Sequence, residues 1–180
     1  PDTLVNAFSV GKGITAILAL LCVDRGLLSY DDRVAHLWPG FRHDELTFAG
    51  LLGHRAGLPA LRADLDDEVL FDWDRVCSML AAETPWWEPG TAHGYHVNTF
   101  GFLAGEVLRR VTGKNPGELL RDLLPGASGE GLWFGVPNHL HGKVATLLWS
   151  DGPRAADTAD RKSTRLNSSH VSESRMPSSA

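Results

Sequence analysis

The chain has 180 residues, of which 43% are hydrophobic and 22% charged, a composition typical of a globular domain. Its 17 basic and 22 acidic residues give a net charge of −5 without a basic cluster, which argues against a nucleic-acid partner. No apolar run is long enough to cross a bilayer, and the two cysteines, Cys22 and Cys77, have neither metal-ligand spacing nor the number needed for a disulfide framework.

The first helix is predicted over residues 9–24. Its apolar positions have the spacing of one packed helix face and are Ile14, Ile17, Leu18, Leu21 and Cys22. Gly26 suits the end of this helix. The next segment is predicted as a turn and a short helix closed by Trp38-Pro39-Gly40, and residues 46–53 as another short helix.

The acidic residues 60–84 are predicted to form a surface helix, because an amphipathic pattern runs through Val69, Val76, Met79 and Leu80. Two prolines make residues 85–90 a rigid aromatic loop. A second clear helix follows Tyr95 and ends at Gly113, with one face formed by Phe100, Leu103, Val107 and Val111.

The last predicted elements are a short helix over 116–124 and a glycine-rich segment over 125–150. Residues 144–149 are predicted to be extended or a strand. Few strands and no internal repeat are visible, so the pattern favours a helix-rich domain from which a sheet is missing.

Ser9 and Lys12 are three residues apart at the start of the first helix, so they share one helix face and their side chains can meet. The positive end of a helix disfavours an ammonium group, and a lysine without its extra proton can activate a serine hydroxyl. The alternatives are a serine that caps the helix and a lysine solvated in its first turn.

Four motifs in chain order resemble the serine β-lactamase and penicillin-binding-protein-like superfamily, and most of all its class C-related family VIII carboxylesterases. They are Ser9-Val10-Gly11-Lys12, the segment 51–59 (LLGHRAGLP), Trp87-Glu88-Pro89-Gly90 leading to Gly94-Tyr95, and Phe134-Gly135-Val136-Pro137 with the segment 143–147. The resemblance implies an α+β fold, the α/β sandwich of the β-lactamase/transpeptidase-like fold. Residues 1–159 are expected to be a partial domain, open at both ends, mostly helical and lacking much of the antiparallel sheet.

The resemblance also implies an acyl-enzyme mechanism. Ser9 is then the nucleophile, and Lys12 and Tyr95 handle its proton, with the base left open between them. The Ser9 amide would be one oxyanion-hole donor, and no candidate for the second occurs in residues 125–159. The alternative for Tyr95 is a packing aromatic.

Three histidines, His54, His93 and His96, raise the possibility of a Ser-His-Asp triad, but no Gly-x-Ser-x-Gly sequence occurs. His54 and His96 are therefore predicted to be structural hydrogen-bonding residues. Trp86 and Trp87 are predicted to belong to a packed aromatic loop, with the lining of an acyl pocket as the alternative.

Position 97 departs from the class C pattern, because Val97 stands where Tyr-x-Asn has its asparagine and Asn98 comes one residue later. The substrate expectation therefore moves to carboxylic esters, with a β-lactamase or D-Ala-D-Ala carboxypeptidase and a non-catalytic scaffold as alternatives. The implied partner is a small-molecule ester or amide, with no cofactor, no metal and no nucleic acid, and the oligomeric state is left open.

Residues 160–180 are rich in serine and have no apolar periodicity. The segment resembles the in-frame translation of a common short-read sequencing adapter, so it is expected to be a non-native, disordered tail outside the domain. For the chain as given, little or no activity is expected, because helices without their sheet leave apolar faces uncovered.

Overall fold

The computed structural model describes residues 2–129 and 131–147. The helices in these ranges are α1 (Val10–Asp24), α2 (Val34–Leu37), α3 (Phe48–Leu52), α4 (Trp73–Ala82), α5 (Thr99–Thr112), α6 (Pro116–Leu123) and α7 (Pro125–Gly129). Two 3-10 helices occupy Asp67–Phe71 and Asn138–Lys143. The described part of the chain has isolated β-bridges, Leu4 with Val144 and Arg33 with Thr47, in place of a sheet.

Helix α5 is the centre of the packing and contacts α1, α2, α3, α4 and α6. Its apolar residues recur every three or four positions, and Phe100, Leu103, Val107 and Leu108 are all buried. The helix ends where Gly113 adopts a left-handed φ of +71°, as its sequence predicted. Helix α5 begins at Thr99, four residues after Tyr95, so the core fixes the end of the loop that carries this tyrosine.

One predicted core residue of α1 is exposed, and two others, Ile14 and Leu21, are only partly buried. Leu18 and Cys22 are fully buried, as their spacing predicted, whereas Ile17 is 43% exposed. Helix α1 packs against α5 and α6, whereas the side chains of Ile17 and Leu20 are exposed. The side chain of Ile17 therefore has the right periodicity for a core face but lacks an element to pack against in the described ranges.

The segment 60–84 is not one helix. A 3-10 helix over Asp67–Phe71 is followed by α4, and residues 61–66 are irregular. The break has a local cause, because Asp72 begins α4 by accepting a hydrogen bond from the Arg75 amide at 3.0 Å.

Two further differences lie near the end of the described chain. Residues 125–129 form α7, which the glycine-rich composition did not predict. The predicted strand over 144–149 is reduced to one parallel bridge at Val144, and residues 148–149 lie outside the described residues. The predicted tail over 160–180 also lies outside them. Within the described ranges, no helix has both the length and the apolar character needed to span a membrane.

A buried carboxylate joins α4 to α5. The Glu106 side chain is completely buried and accepts hydrogen bonds from Trp73 Nε1, Arg109 Nε and Arg110 Nε, each at 2.7 Å. Burial alone would raise the pKa of Glu106, but these donors and the two arginine charges hold it below its ordinary value. Helix α5, which follows the tyrosine loop, is thus stabilised in its C-terminal half by an ion-pair network.

Candidate active site

Ser9 lies immediately before α1, in the N-cap position. Its side chain accepts no hydrogen bond from the free amides of the first turn, so the capping alternative is not the arrangement found. The preceding residue, Phe8, has a left-handed φ of +46°, a conformation unfavourable for a residue with a Cβ. Such strain is often found at functional sites, and here it precedes an exposed, uncapped serine hydroxyl.

Lys12 is the residue that joins the parts of the site. Its Nζ donates hydrogen bonds to Ser9 Oγ at 3.3 Å and to the Val97 carbonyl at 2.7 Å. The same atom lies 4.9 Å from the ring centroid of Tyr95. The structure therefore brings together the three site residues predicted from the sequence, with Ser9 and Tyr95 on either side of the Lys12 amino group.

The loop that carries Tyr95 is hydrogen-bonded to the loop of the second motif. The Trp86 amide donates to the Gly57 carbonyl at 2.7 Å, and the Gly90 amide donates to the Arg55 carbonyl at 2.8 Å. The side chain of Arg55 also donates to the Gly90 carbonyl. Two motifs that are separated by about 30 residues in the sequence are thus parts of one structural unit.

Two glycines allow this close approach. At Gly57 the φ is +71°, and a Cβ would lie 2.3 Å from the backbone oxygen of Trp87. At Gly94 a Cβ would lie 2.4 Å from Cη2 of the Trp87 ring, whose Nε1 donates to the Ala92 carbonyl at 3.1 Å. Both contacts fix the loop on the N-terminal side of Tyr95.

Position 97 takes part in the site through its backbone. Val97 has no side-chain amide, but its carbonyl oxygen accepts the shortest of the hydrogen bonds described for the Lys12 ammonium, at 2.7 Å. Every residue carries a carbonyl, so this contact has no signal in residue identity. The departure from Tyr-x-Asn therefore leaves Lys12 with a partner at position 97 and removes the side chain that a class C enzyme has there.

The histidines are hydrogen-bonded within the loops, as predicted for His54 and His96. The buried His96 accepts from the Leu58 amide at Nε2, 3.0 Å away, and its Nδ1 lies 2.5 Å from the Gly94 carbonyl. Burial, with a smaller contribution from nearby His93, lowers the pKa of His96 to about 4 against the opposing effect of the Gly94 carbonyl. Both ring nitrogens of His96 are thus occupied by backbone groups.

Trp86 and Trp87 form a packed aromatic loop, the favoured expectation for this pair. Trp86 Nε1 donates to the Ala60 carbonyl at 3.1 Å, and the Arg62 guanidinium lies 4.4 Å from the Trp86 ring. The ring of Trp87 packs against Gly94.

The fourth motif lies beside the first turn of α1. A Cβ on Gly11 would come within 3.3 Å of the Phe134 ring, so the aromatic side chain covers the backbone between Ser9 and Lys12. The second oxyanion-hole donor expected from a late strand has no counterpart in the described ranges, where no strand forms. Residues 2–129 and 131–147 also contain no group of three or more His, Cys, Asp or Glu side chains arranged to hold a metal ion.

Comparison with known proteins relates this geometry to a family. The sequence model of the Beta-lactamase family matches residues 1–169. The chain is 36% identical over 144 residues to the Esterase/beta-lactamase LipL of Mycobacterium tuberculosis, an alignment that covers 76% of this chain and 32% of that protein.

Two crystal structures have the same fold over most of the described chain. A family VIII carboxylesterase superposes with a TM-score of 0.78 at 42% identity, over 82% of this chain and 42% of that one. A penicillin-binding protein homologue from Caulobacter crescentus superposes with a TM-score of 0.77 at 41% identity, over 84% of this chain and 42% of that one.

The chain thus spans about a third of the length of the curated relative and about two fifths of each solved structure. The predicted β-lactamase/transpeptidase-like fold is confirmed, in a chain whose described part is mostly helical. On the extent of the family match and these identities, the chain belongs to the beta-lactamase family.

Proposed function

We propose that the protein is a serine hydrolase that cleaves carboxylic esters through an acyl-enzyme, with Ser9 as the nucleophile. The observation that carries the proposal is the 3.3 Å separation of Lys12 Nζ from Ser9 Oγ at the start of α1. An amine within hydrogen-bond reach of a hydroxyl is the arrangement that nucleophilic catalysis by serine needs. The ring of Tyr95 on the other side of the same amine supports a shared role in proton transfer.

The reaction follows from these groups. Ser9 Oγ attacks the ester carbonyl carbon, and its proton passes to Lys12 or Tyr95, whichever is unprotonated. The Ser9 amide stabilises the developing oxyanion. The bond to the alcohol then breaks, and the alcohol oxygen takes up the proton. Water attacks the acyl-enzyme in the second half, which releases the acid and restores the serine hydroxyl.

Two observations favour esters as the substrate class. Val97 offers Lys12 a backbone carbonyl and has no amide side chain that could bind a β-lactam side chain. The 42% identical structure is described as a family VIII carboxylesterase, and the curated relative as an esterase/β-lactamase. β-Lactamase or D-Ala-D-Ala carboxypeptidase activity is the competing enzymatic function.

The test uses the complete gene product with short-chain p-nitrophenyl esters and a chromogenic cephalosporin. Ser9→Ala should lower ester turnover by at least about 10³-fold, because the attacking atom is removed. Ser78→Ala is the matched control, since this exposed hydroxyl donates only to the Asp74 carbonyl within α4. Unchanged ester hydrolysis in Ser9→Ala would refute the mechanism.

The substrate class is decided by the same two assays. Efficient cephalosporin turnover with negligible ester cleavage would overturn the ester proposal, and a folded protein inactive on both would favour a scaffold. Tyr95→Phe separates the two proton acceptors, because it keeps the ring beside Lys12 and removes only the hydroxyl. A strong loss of kcat in this variant assigns the proton to Tyr95, and wild-type turnover assigns it to Lys12.

A further inference from the structure

His54 makes hydrogen bonds on both sides of Tyr95. The Gly94 amide donates to the His54 carbonyl at 3.2 Å, and the His96 amide donates to His54 Nδ1 at 3.0 Å. Tyr95 itself is 42% exposed, so burial does little to hold it. One residue of the second motif therefore binds the backbone immediately before and immediately after the tyrosine.

The backbone of His54 is specialised for these two contacts. Its φ is +59°, in the left-handed region that a residue with a Cβ rarely adopts. In this conformation the carbonyl and the ring of His54 both reach the same loop. An unfavourable conformation of this kind persists only where surrounding contacts maintain it.

The ring of His54 is also held by its neighbours. Its centroid lies 4.8 Å from that of Phe100, 5.0 Å from that of Tyr95 and 5.5 Å from that of His96. Phe100 is a core residue of α5, so the ring connects the tyrosine loop to the rigid part of the fold. The contact with Tyr95 adds a direct side-chain restraint to the two backbone hydrogen bonds.

The bond to the His96 amide requires an unprotonated Nδ1 on His54, and the environment provides it. Burial is the main cause that lowers the pKa of His54 to about 4, and electrostatic interactions with His96, Lys12 and His93 contribute to this lowering. At neutral pH the ring is therefore uncharged, and Nδ1 is free to accept.

We propose that His54 is a positioning residue that holds Tyr95 beside Lys12 by fixing the peptide groups on both sides of the tyrosine. In this role His54 acts through the backbone of the loop, and its Nδ1 is engaged by the His96 amide. The inference rests on the proposed function in so far as Tyr95 takes part in catalysis. The restraint on the loop is a property of the fold and can be measured without a substrate.

Two variants of His54 separate the acceptor from the conformation. His54→Gly adopts the left-handed φ without strain but loses the side-chain acceptor. His54→Asn retains an acceptor oxygen at nearly the position of Nδ1, and asparagine tolerates a left-handed φ better than most residues. His93→Asn is the matched control in the same cluster, because His93 is exposed and no hydrogen bond of its ring is described.

The kinetic test uses the complete gene product and a p-nitrophenyl ester. His54→Gly should lower kcat by about 10- to 100-fold with little change in KM, since small displacements of a reacting group have effects of this size. His54→Asn should recover most of the loss, and His93→Asn should match the wild type. A glycine variant with wild-type kcat, or an asparagine variant as impaired as the glycine variant, would overturn the proposal.

Amide hydrogen exchange tests the restraint in the complete gene product. His54→Gly should accelerate exchange at His96, whose acceptor is lost, at least about 10-fold and leave the buried α5 amides unchanged, while His54→Asn keeps the protection. Unchanged exchange, or loss spread through α5, would overturn the local role of His54. If the wild-type enzyme cleaves no ester, the proposed function fails, and the exchange result still decides whether His54 fixes this loop.

Discussion

Gly94 offers the sharpest test of how the tyrosine loop is packed, because a single methyl group there meets an aromatic ring. An alanine Cβ would lie 2.4 Å from Trp87 Cη2 and 3.1 Å from two further ring atoms. Carbon atoms in ordinary contact are at least about 3.5 Å apart, so the ring or the loop must move by about 1 Å. The φ of Gly94 is not in the left-handed range, so the cost of Gly94→Ala comes from packing alone.

The expected cost follows from what the displacement disturbs. Overpacking of this kind costs about 1–3 kcal/mol. Moving the ring also stretches the hydrogen bond from Trp87 Nε1 to the Ala92 carbonyl, which is already 3.1 Å long. Its loss adds about 1 kcal/mol, so the free energy of unfolding should fall by about 2–4 kcal/mol and the Tm by about 5–15 °C.

The assay is urea and thermal unfolding followed by circular dichroism, with Gly101→Ala as the control. Gly101 is exposed in α5, and a Cβ there meets no atom within 4 Å. The control should therefore be up to about 1 kcal/mol more stable than the wild type, because alanine is the better helix former. A Gly94→Ala protein within about 0.5 kcal/mol of the wild type would refute the packing argument.

Two further predictions concern the core. Glu106→Gln should destabilise the fold by roughly 2 kcal/mol at pH 7, because a buried acceptor of charged hydrogen bonds loses its charge. The pKa of Glu106 is lowered in the folded state, so its charge stabilises the fold above the unfolded pKa. Urea titrations should therefore show that the difference in free energy of unfolding between the wild type and Glu106→Gln shrinks as the pH falls through the folded pKa. Burial raises the pKa of both Cys22 and Cys77, so neither thiol should react with a disulfide reagent at pH 8 until urea unfolds the chain; rapid modification of the native protein would contradict this.

The helices and the residues of the site were predictable where the signal is local. The packed face of α5 follows from its 3.6-residue period, and the meeting of Ser9 with Lys12 follows from their spacing of three on one helix. The break between residues 60 and 84 was missed, although Asp72 is a strong N-cap residue, because the apolar period continued across it.

Most helices, the family motifs and the pair at the start of α1 could be read from the amino-acid order alone, because each depends on residues close together in the chain. Three features became visible only in the folded chain: the Val97 carbonyl binds Lys12, His54 contacts the backbone on both sides of Tyr95, and Ile17 lies outside the core. These features arise from backbone groups and packing faces that meet over long sequence separations. Every residue carries the same carbonyl and amide, so residue identity alone does not reveal which of them will meet.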